Sequence, residues 1–558
     1  MIANIQRIAF FALFLALHCG APRAHGEVAA TPAQAPSASR TMPLLEGLGR
    51  HSMPITTRQP LAQRYFDQGL VLAWGFHFGA AERSFRRAAA LDPQCAMCRW
   101  GVALALGPSI NHDPAPRQVE AARAASGQAV ALAGGASARE RGLIEAQARR
   151  YPPGRDDADD EAYARAMRAL VRRHPRDADV LTLAADAFMS PHGRDYWRRD
   201  GKPREWTRMI LDTLDKAVRI APGHPGAHHF RIHVLEDSPQ PQRALDSAER
   251  LPALVPGLGH LVHMPTHVYF RLGRYADAAT ANERAIAADR ALLEALGHDP
   301  AYVAGYALHN HHFLWTAAMM SGRVEKAAAS AAVLARHAES VPAGIRTPGG
   351  TLQVFASLPL LTQVRFGQWE RILREPRPRP ATAYTRGMRH FARAMAMART
   401  GRAAEAAREI DEIAIAQELA AREAAMLKNT NALWSLLAIA RRIAEAEAAQ
   451  AAGDPARAIE LAQAAVALES ALEADEPPAW ALPARHFLGA LLLEQGRAGE
   501  ARRVYEEDLR AHPANGWALA GLAASLRGAG LEARAADASR RFEKAWSGAD
   551  VPITGSRF

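Results

Sequence analysis

A recurring order of small, aromatic and proline residues constrains this chain more than any other feature of its 558 residues. In YFDQGLVLAWGFHFGAAERSFRRAAALDP (65–93), Gly69, Ala81 and Ala88 stand where two helices of a hairpin must approach closely. Phe85 is placed to pack between hairpins, and Pro93 ends the second helix. The order returns in FLGALLLEQGRAGEARRVYEEDLRAHP (487–513) with Gly489, Gly496, Ala501, Tyr505 and Pro513, and Gly530 and Ala535 follow Gly496 and Ala501 by 34 residues. Gly273, Gly322, Gly367, Gly401 and Gly453 each separate two amphipathic helical patterns, and no period-two alternation suggests strands. Length alone would suggest several domains, but a repeat array grows by stacking neighbours. The expected fold is all-α: helical hairpins stacked into a right-handed superhelix with a concave inner face.

This pattern resembles the tetratricopeptide repeat (TPR). The resemblance assigns 46–340 to an N-terminal array and 385–546 to a C-terminal array. A loop-rich connection with one hairpin lies between them at 341–384, and 547–558 is a tail. Stretches 190–205, 341–352 and 373–384 break the pattern with Pro and Gly and read as loops. The first two are long enough to reach over the concave face.

The amino-terminal residues carry a different signal. Arg7 followed by the apolar run IAFFALFLAL (8–17) reads as a secretory signal ending near Ala24-His25-Gly26, too short for a comfortable membrane span. Residues 1–26 are therefore expected to be removed, with no transmembrane anchor left, and the Ala-, Pro- and Ser-rich 27–45 to form a disordered linker. The expected location is periplasmic or secreted. Of the three cysteines, Cys95 and Cys98 then remain, in CAMC, within an oxidising compartment. A disulfide is one reading, and a thiolate metal site completed by histidine is the other. Arg99 stands where haem attachment would need His. Net charge is +10, but the arginines are scattered among acids without interleaved aromatics, so nucleic acid is not an expected partner.

Candidate chemistry concentrates between 224 and 312, in HPGAHHFRIHVLED, GHLVHMPTH and HNHHF. Counting each repeat so that the turn glycine is position 15, the TPR resemblance implies that first-helix positions 2, 5, 9 and 12 face the groove. His260, His263 and His267 then take positions 2, 5 and 9 ahead of Gly273. In the preceding repeat His229, His233 and Glu236 take positions 5, 9 and 12, and in the following one His309 and His312 take 2 and 5. Spacings of three, four and seven keep such side chains within roughly a 60° arc of one helix face. These eight are the candidate metal ligands, expected to converge from three neighbouring helices about 10 Å apart. His224, His228 and His311 fall outside that set and read as structural. Seven imidazoles and one carboxylate exceed one ion's need, so two ions are expected. Copper is favoured by an imidazole-rich shell, with iron or zinc as alternatives, whereas magnesium and calcium want oxygen ligands.

The mature chain also resembles a group of exported bacterial TPR proteins. That likeness is carried by LDPQCAMCRWGVALALGP (91–108), DYWRRDGKP (195–203), HPGAHHFRIHVLE (224–236), LVPGLGHLVHMPTHVYFRLGRYADAATANERAIAAD (254–289) and HNHHFLWTAAMMSGR (309–323). The resemblance implies fold and export. The residues themselves suggest a copper- or iron-dependent oxidoreductase acting on a small molecule or peptide in the groove. The alternatives are a TPR scaffold that grips a protein partner, for which the C-terminal repeats are available, and a zinc-dependent hydrolase. No HExxH, GxSxG or phosphate-cradling glycine loop points elsewhere.

Overall fold

The computed structural model describes residues 42–152, 154–341, 350–375, 382–427 and 430–558. The signal segment, most of the linker and the central parts of the 341–352 and 373–384 loops lie outside the described residues. Within the described residues the chain is all-α. The exceptions are one pair of two-residue strands, Met426–Leu427 and Asn431–Ala432, and two isolated bridges, Ser109 with His112 and Trp197 with Pro203. No helix among them is long and apolar enough to cross a membrane.

The chain divides into two compact units. The first comprises the described residues up to Met264 together with Ala287–Val303, and the second comprises Pro265–Ile286 and Ala304–Phe558. In the first unit, helix Pro60–Trp74 pairs with Phe78–Leu91, Ala96–Leu106 with Pro116–Leu132, Ala178–Met189 with Glu205–Ile220, and Pro225–Leu235 with Leu245–Leu254. Cys95 caps helix Ala96–Leu106 and is disulfide-bonded to Cys98, so these thiols are not a metal site here. In the second unit, the pairs include Leu308–Met320 with Val324–Ser340, Ala383–Arg399 with Ala403–Glu423, Leu433–Ala451 with Pro455–Ser470, Ala484–Glu494 with Ala498–Ala511, and Gly516–Gly528 with Glu532–Trp546.

The small and aromatic positions do in three dimensions what their order implied. A Cβ on Gly69 would lie 2.8 Å from the Phe85 ring, and one on Gly101, in the next hairpin, 2.2 Å from it. Tyr505 repeats this between Gly489 and Gly521, at 2.4 and 2.2 Å. The aromatic of one hairpin thus wedges against glycines of its own and the following first helix. Gly521→Ala is expected to destabilise the second unit by about 1–2 kcal/mol, because forced overpacking outweighs the roughly 1 kcal/mol gained in helix propensity. Urea unfolding measures this, and an unchanged midpoint would refute the wedge.

Turn glycines close the hairpins in the left-handed region. Gly322, Gly367, Gly401, Gly453, Gly496 and Gly530 have φ between 62° and 82°, where side chains with a Cβ are disfavoured.

Candidate metal centre

Helix Pro225–Leu235 begins with Pro225 in its first turn and with His224 as cap, whose Nδ1 accepts from Ala227 N. A spacing of four then places His229 and His233 on one face. His260 comes from the short helix Gly259–His263 of the same unit. These three imidazoles meet: His229 Nε2 lies 3.0 Å from His233 Nε2 and 3.1 Å from His260 Nε2. The residues are 0–2% exposed. A ring nitrogen carries one hydrogen or one lone pair, so His229 Nε2 completes a hydrogen bond with only one of its two neighbours. A cation among them accepts three lone pairs at once. Imidazole nitrogens sharing one ion with bonds of about 2.0–2.1 Å stand roughly 3.4 Å apart, close to the spacing seen.

Glu236 takes a supporting position. Its Oε1 is 2.9 Å from His233 Nδ1, nearer than Arg194 Nη2 at 3.3 Å from the same nitrogen; a carboxylate can only accept, and a hydrogen on Nδ1 leaves the Nε2 lone pair facing the other imidazoles. Arg194 Nη2 reaches to 3.8 Å from the same carboxylate oxygen. Arg194 belongs to the 190–205 insert, which is fastened to the end of the histidine helix by Trp197 Nε1 donating to Val234 O at 2.7 Å. Over the three imidazoles lies Phe76, its ring centroid 4.6 Å from His229, 5.1 Å from His260 and 5.8 Å from His233.

The other candidates fall as follows. His263, fully buried, has its ring 6.0 Å from that of His260. His267, His309 and His312 belong to the second unit. There His267 Nδ1 lies 3.1 Å from Glu476 Oε2, and its ring is 6.0 Å from that of His309, with Phe313 4.9 Å from both rings. His312 packs against Trp315 and Phe355, at 5.9 and 5.2 Å. Of the histidines set aside as structural, His228 is held at both nitrogens, by Ser247 Oγ and Pro222 O at 2.9 Å each.

A second group in the first unit has the composition of a metal site but different hydrogen bonding. Asp179 Oδ1 is 3.0 Å from His51 Nε2 and 3.3 Å from His224 Nε2, with Trp74 packed on both rings. The Nδ1 of His224 already accepts a backbone hydrogen, so its Nε2 carries the proton, facing Asp179 Oδ1 at 3.3 Å. His224 has no inward lone pair to give. Against the effect of burial, His224 and His51 together hold the Asp179 carboxyl well below its ordinary pKa.

Sequence reasoning passed over Arg194, Phe76 and Glu476. Phe76 had a signal, because it stands seven residues after Gly69, where Gly496 follows Gly489. Glu476 had none: it is a cis-proline neighbour far along the chain from His267.

No protein-family model matches this chain, and no curated protein sequence does. Among solved structures, a human IFIT1 dimer with m7Gppp-AAAA aligns at 12% identity and a TM-score of 0.29, over 88% of this chain and 91% of that one. The crystal structure of yeast Tom70 aligns at 11% identity and 0.29, over 86% and 89%. Naa15/Naa10 bound to HypK-THB aligns at 14% and 0.22, over 87% and 71%. TM-scores this low carry no inference about function, and the hairpins themselves define the fold.

Proposed function

We propose that this chain is a metal-binding TPR-type protein of an oxidising compartment, with one transition-metal ion held by His229, His233 and His260. The observation that supports this is the convergence of three buried imidazoles, with His233 Nε2 and His260 Nε2 each within 3.1 Å of His229 Nε2. The donor set is all imidazole, with the Glu236 carboxylate turned to His233 Nδ1. That favours copper, then zinc or iron, over magnesium or calcium. Copper or iron held there would supply one-electron and oxygen chemistry to an oxidoreductase, and zinc would supply a hydrolytic centre. A second ion would find His267 and His309, with Glu476 beside them. The Cys95–Cys98 disulfide supports the oxidising compartment.

Protein purified without a histidine tag and loaded in turn with copper, zinc and iron is expected to retain at least one equivalent of one of them. His229→Ala and His260→Ala are expected to lose that ion while keeping their helical circular dichroism. Glu236→Gln should weaken binding about 10- to 100-fold by loosening His233. Loaded wild-type protein that holds no stoichiometric metal would leave the other reading, a repeat scaffold gripping a peptide or protein partner, which rests on the fold alone.

A further inference from the structure

Phe76 is in the wrong backbone conformation for a phenylalanine. It occupies the turn between helices Pro60–Trp74 and Phe78–Leu91 at φ 59°. The matching turns use glycine, with Gly496 at φ 68° and Gly530 at 71°. A side chain with a Cβ is strained there, and phenylalanine has no polar atom to offset the strain through a local hydrogen bond. A glycine is available one residue earlier, yet Gly75 takes an ordinary φ of −94°. The strain therefore falls on the residue whose side chain enters the protein, and that ring is 2% exposed.

What the ring reaches is the histidine trio. The centroids of His229, His233 and His260 are 4.7, 4.9 and 6.2 Å from one another, and Phe76 is 4.6–5.8 Å from each. Four rings thus form a compact tetrahedron, with three corners that carry donor nitrogens and a fourth that carries none. Zinc prefers a fourth ligand in a tetrahedral site, and divalent copper prefers a tetragonal shell. A filled-shell monovalent ion is content with three imidazoles.

Resting on the proposed metal site, the geometry points to Phe76 as the residue that closes the fourth coordination position, so that the centre is selective for monovalent copper held by three imidazoles and shielded from water. The strained turn is how the fold delivers a phenyl group to that corner.

Phe76→Gly tests this, because glycine is the residue its counterparts use, and Phe76→Leu, which keeps an apolar group at that corner and should retain the wild-type ligand count and preference, controls for the buried volume that glycine removes. The full chain and the variant would each be loaded with monovalent copper under reductant, and separately with zinc. X-ray absorption would then count ligands, and competition with a chelator would rank affinities. In the wild type three nitrogen ligands are expected around monovalent copper. In Phe76→Gly a fourth, oxygen ligand is expected on zinc, and the preference for monovalent copper over zinc should fall about ten-fold or more. A water ligand already present in the wild type, or an unchanged ligand count and preference in the variant, would overturn the role of Phe76 while leaving the metal site standing. Failure of both proteins to bind either ion would overturn both.

Discussion

Asp186→Asn is expected to stabilise the protein at pH 8 and to change little at pH 4. Asp186 lies on helix Ala178–Met189 and is 8% exposed, and its Oδ1 finds no hydrogen-bond partner. It borders a small cavity walled by Trp74, Phe76, Leu104, Leu183 and Phe230. Burial pushes its pKa from the ordinary 3.8 up to about 7, against the opposing charge of Arg150. The folded chain therefore keeps this proton between those values while the unfolded chain gives it up. With more protons bound to the folded state, stability falls as pH rises through the window, then stays level above about 7. A shift of that size corresponds to at most about 4 kcal/mol. Asparagine has the same shape and no charge to desolvate, so it escapes the loss. Chemical denaturation of both proteins at pH 4 and pH 8 gives the answer. A variant no more stable than wild type at pH 8 would mean that Asp186 is ionised and well served inside the fold.

Deleting Val551–Phe558 is expected to lower the thermal midpoint of the second unit by about 10 °C. This short segment is built into the hairpins. Ser556 Oγ donates to His486 O at 2.6 Å and is 2.7 Å from the Tyr505 hydroxyl, the same tyrosine that wedges Gly489 against Gly521. The Arg557 side chain is 5% exposed and bridges Glu447 at 3.0 Å to Glu494 at 2.9 Å. The Phe558 ring lies 5.8 Å from Trp517 and against Gly367. Glu447 is 1% exposed, and its remaining partner is Arg399 at 3.3 Å. Removing one partner of a buried pair costs about 3–5 kcal/mol, and each lost hydrogen bond of Ser556 adds about 1 kcal/mol. At roughly 2–4 °C per kcal/mol for a unit of this size, the expected shift follows. A melting curve followed by circular dichroism checks it, and a truncated chain that melts with the wild type would show the segment to be a passenger.

Much of the fold was legible because it is written locally. The distance from Gly69 to Phe85, or from Gly489 to Tyr505, sits inside one hairpin, so its packing consequence can be read from one repeat. The tail was not legible in this way. Its partners, Tyr505, His486, Glu447 and Glu494, are spread over three helices, and nothing in VPITGSRF announces them. The same contrast separates the histidines. A spacing of four places His229 and His233 side by side on one helix face. The role of Glu236 depends on which of its neighbours' nitrogens it meets, and spacing alone does not say whether a carboxylate three residues on will face an ion or a ring hydrogen.

The sequence by itself determined the helical hairpins and which helix face carries each histidine, because both follow from periodicities shorter than one repeat. Only the tertiary structure decided what those side chains are. It brought His260 to His229 and gave His224 a backbone hydrogen on Nδ1 that turns its Nε2 into a donor. It also forced Phe76 into a glycine's conformation above the trio. Donor or acceptor, ligand or support, is a property of an atom's neighbours, and those neighbours come from distant parts of the chain.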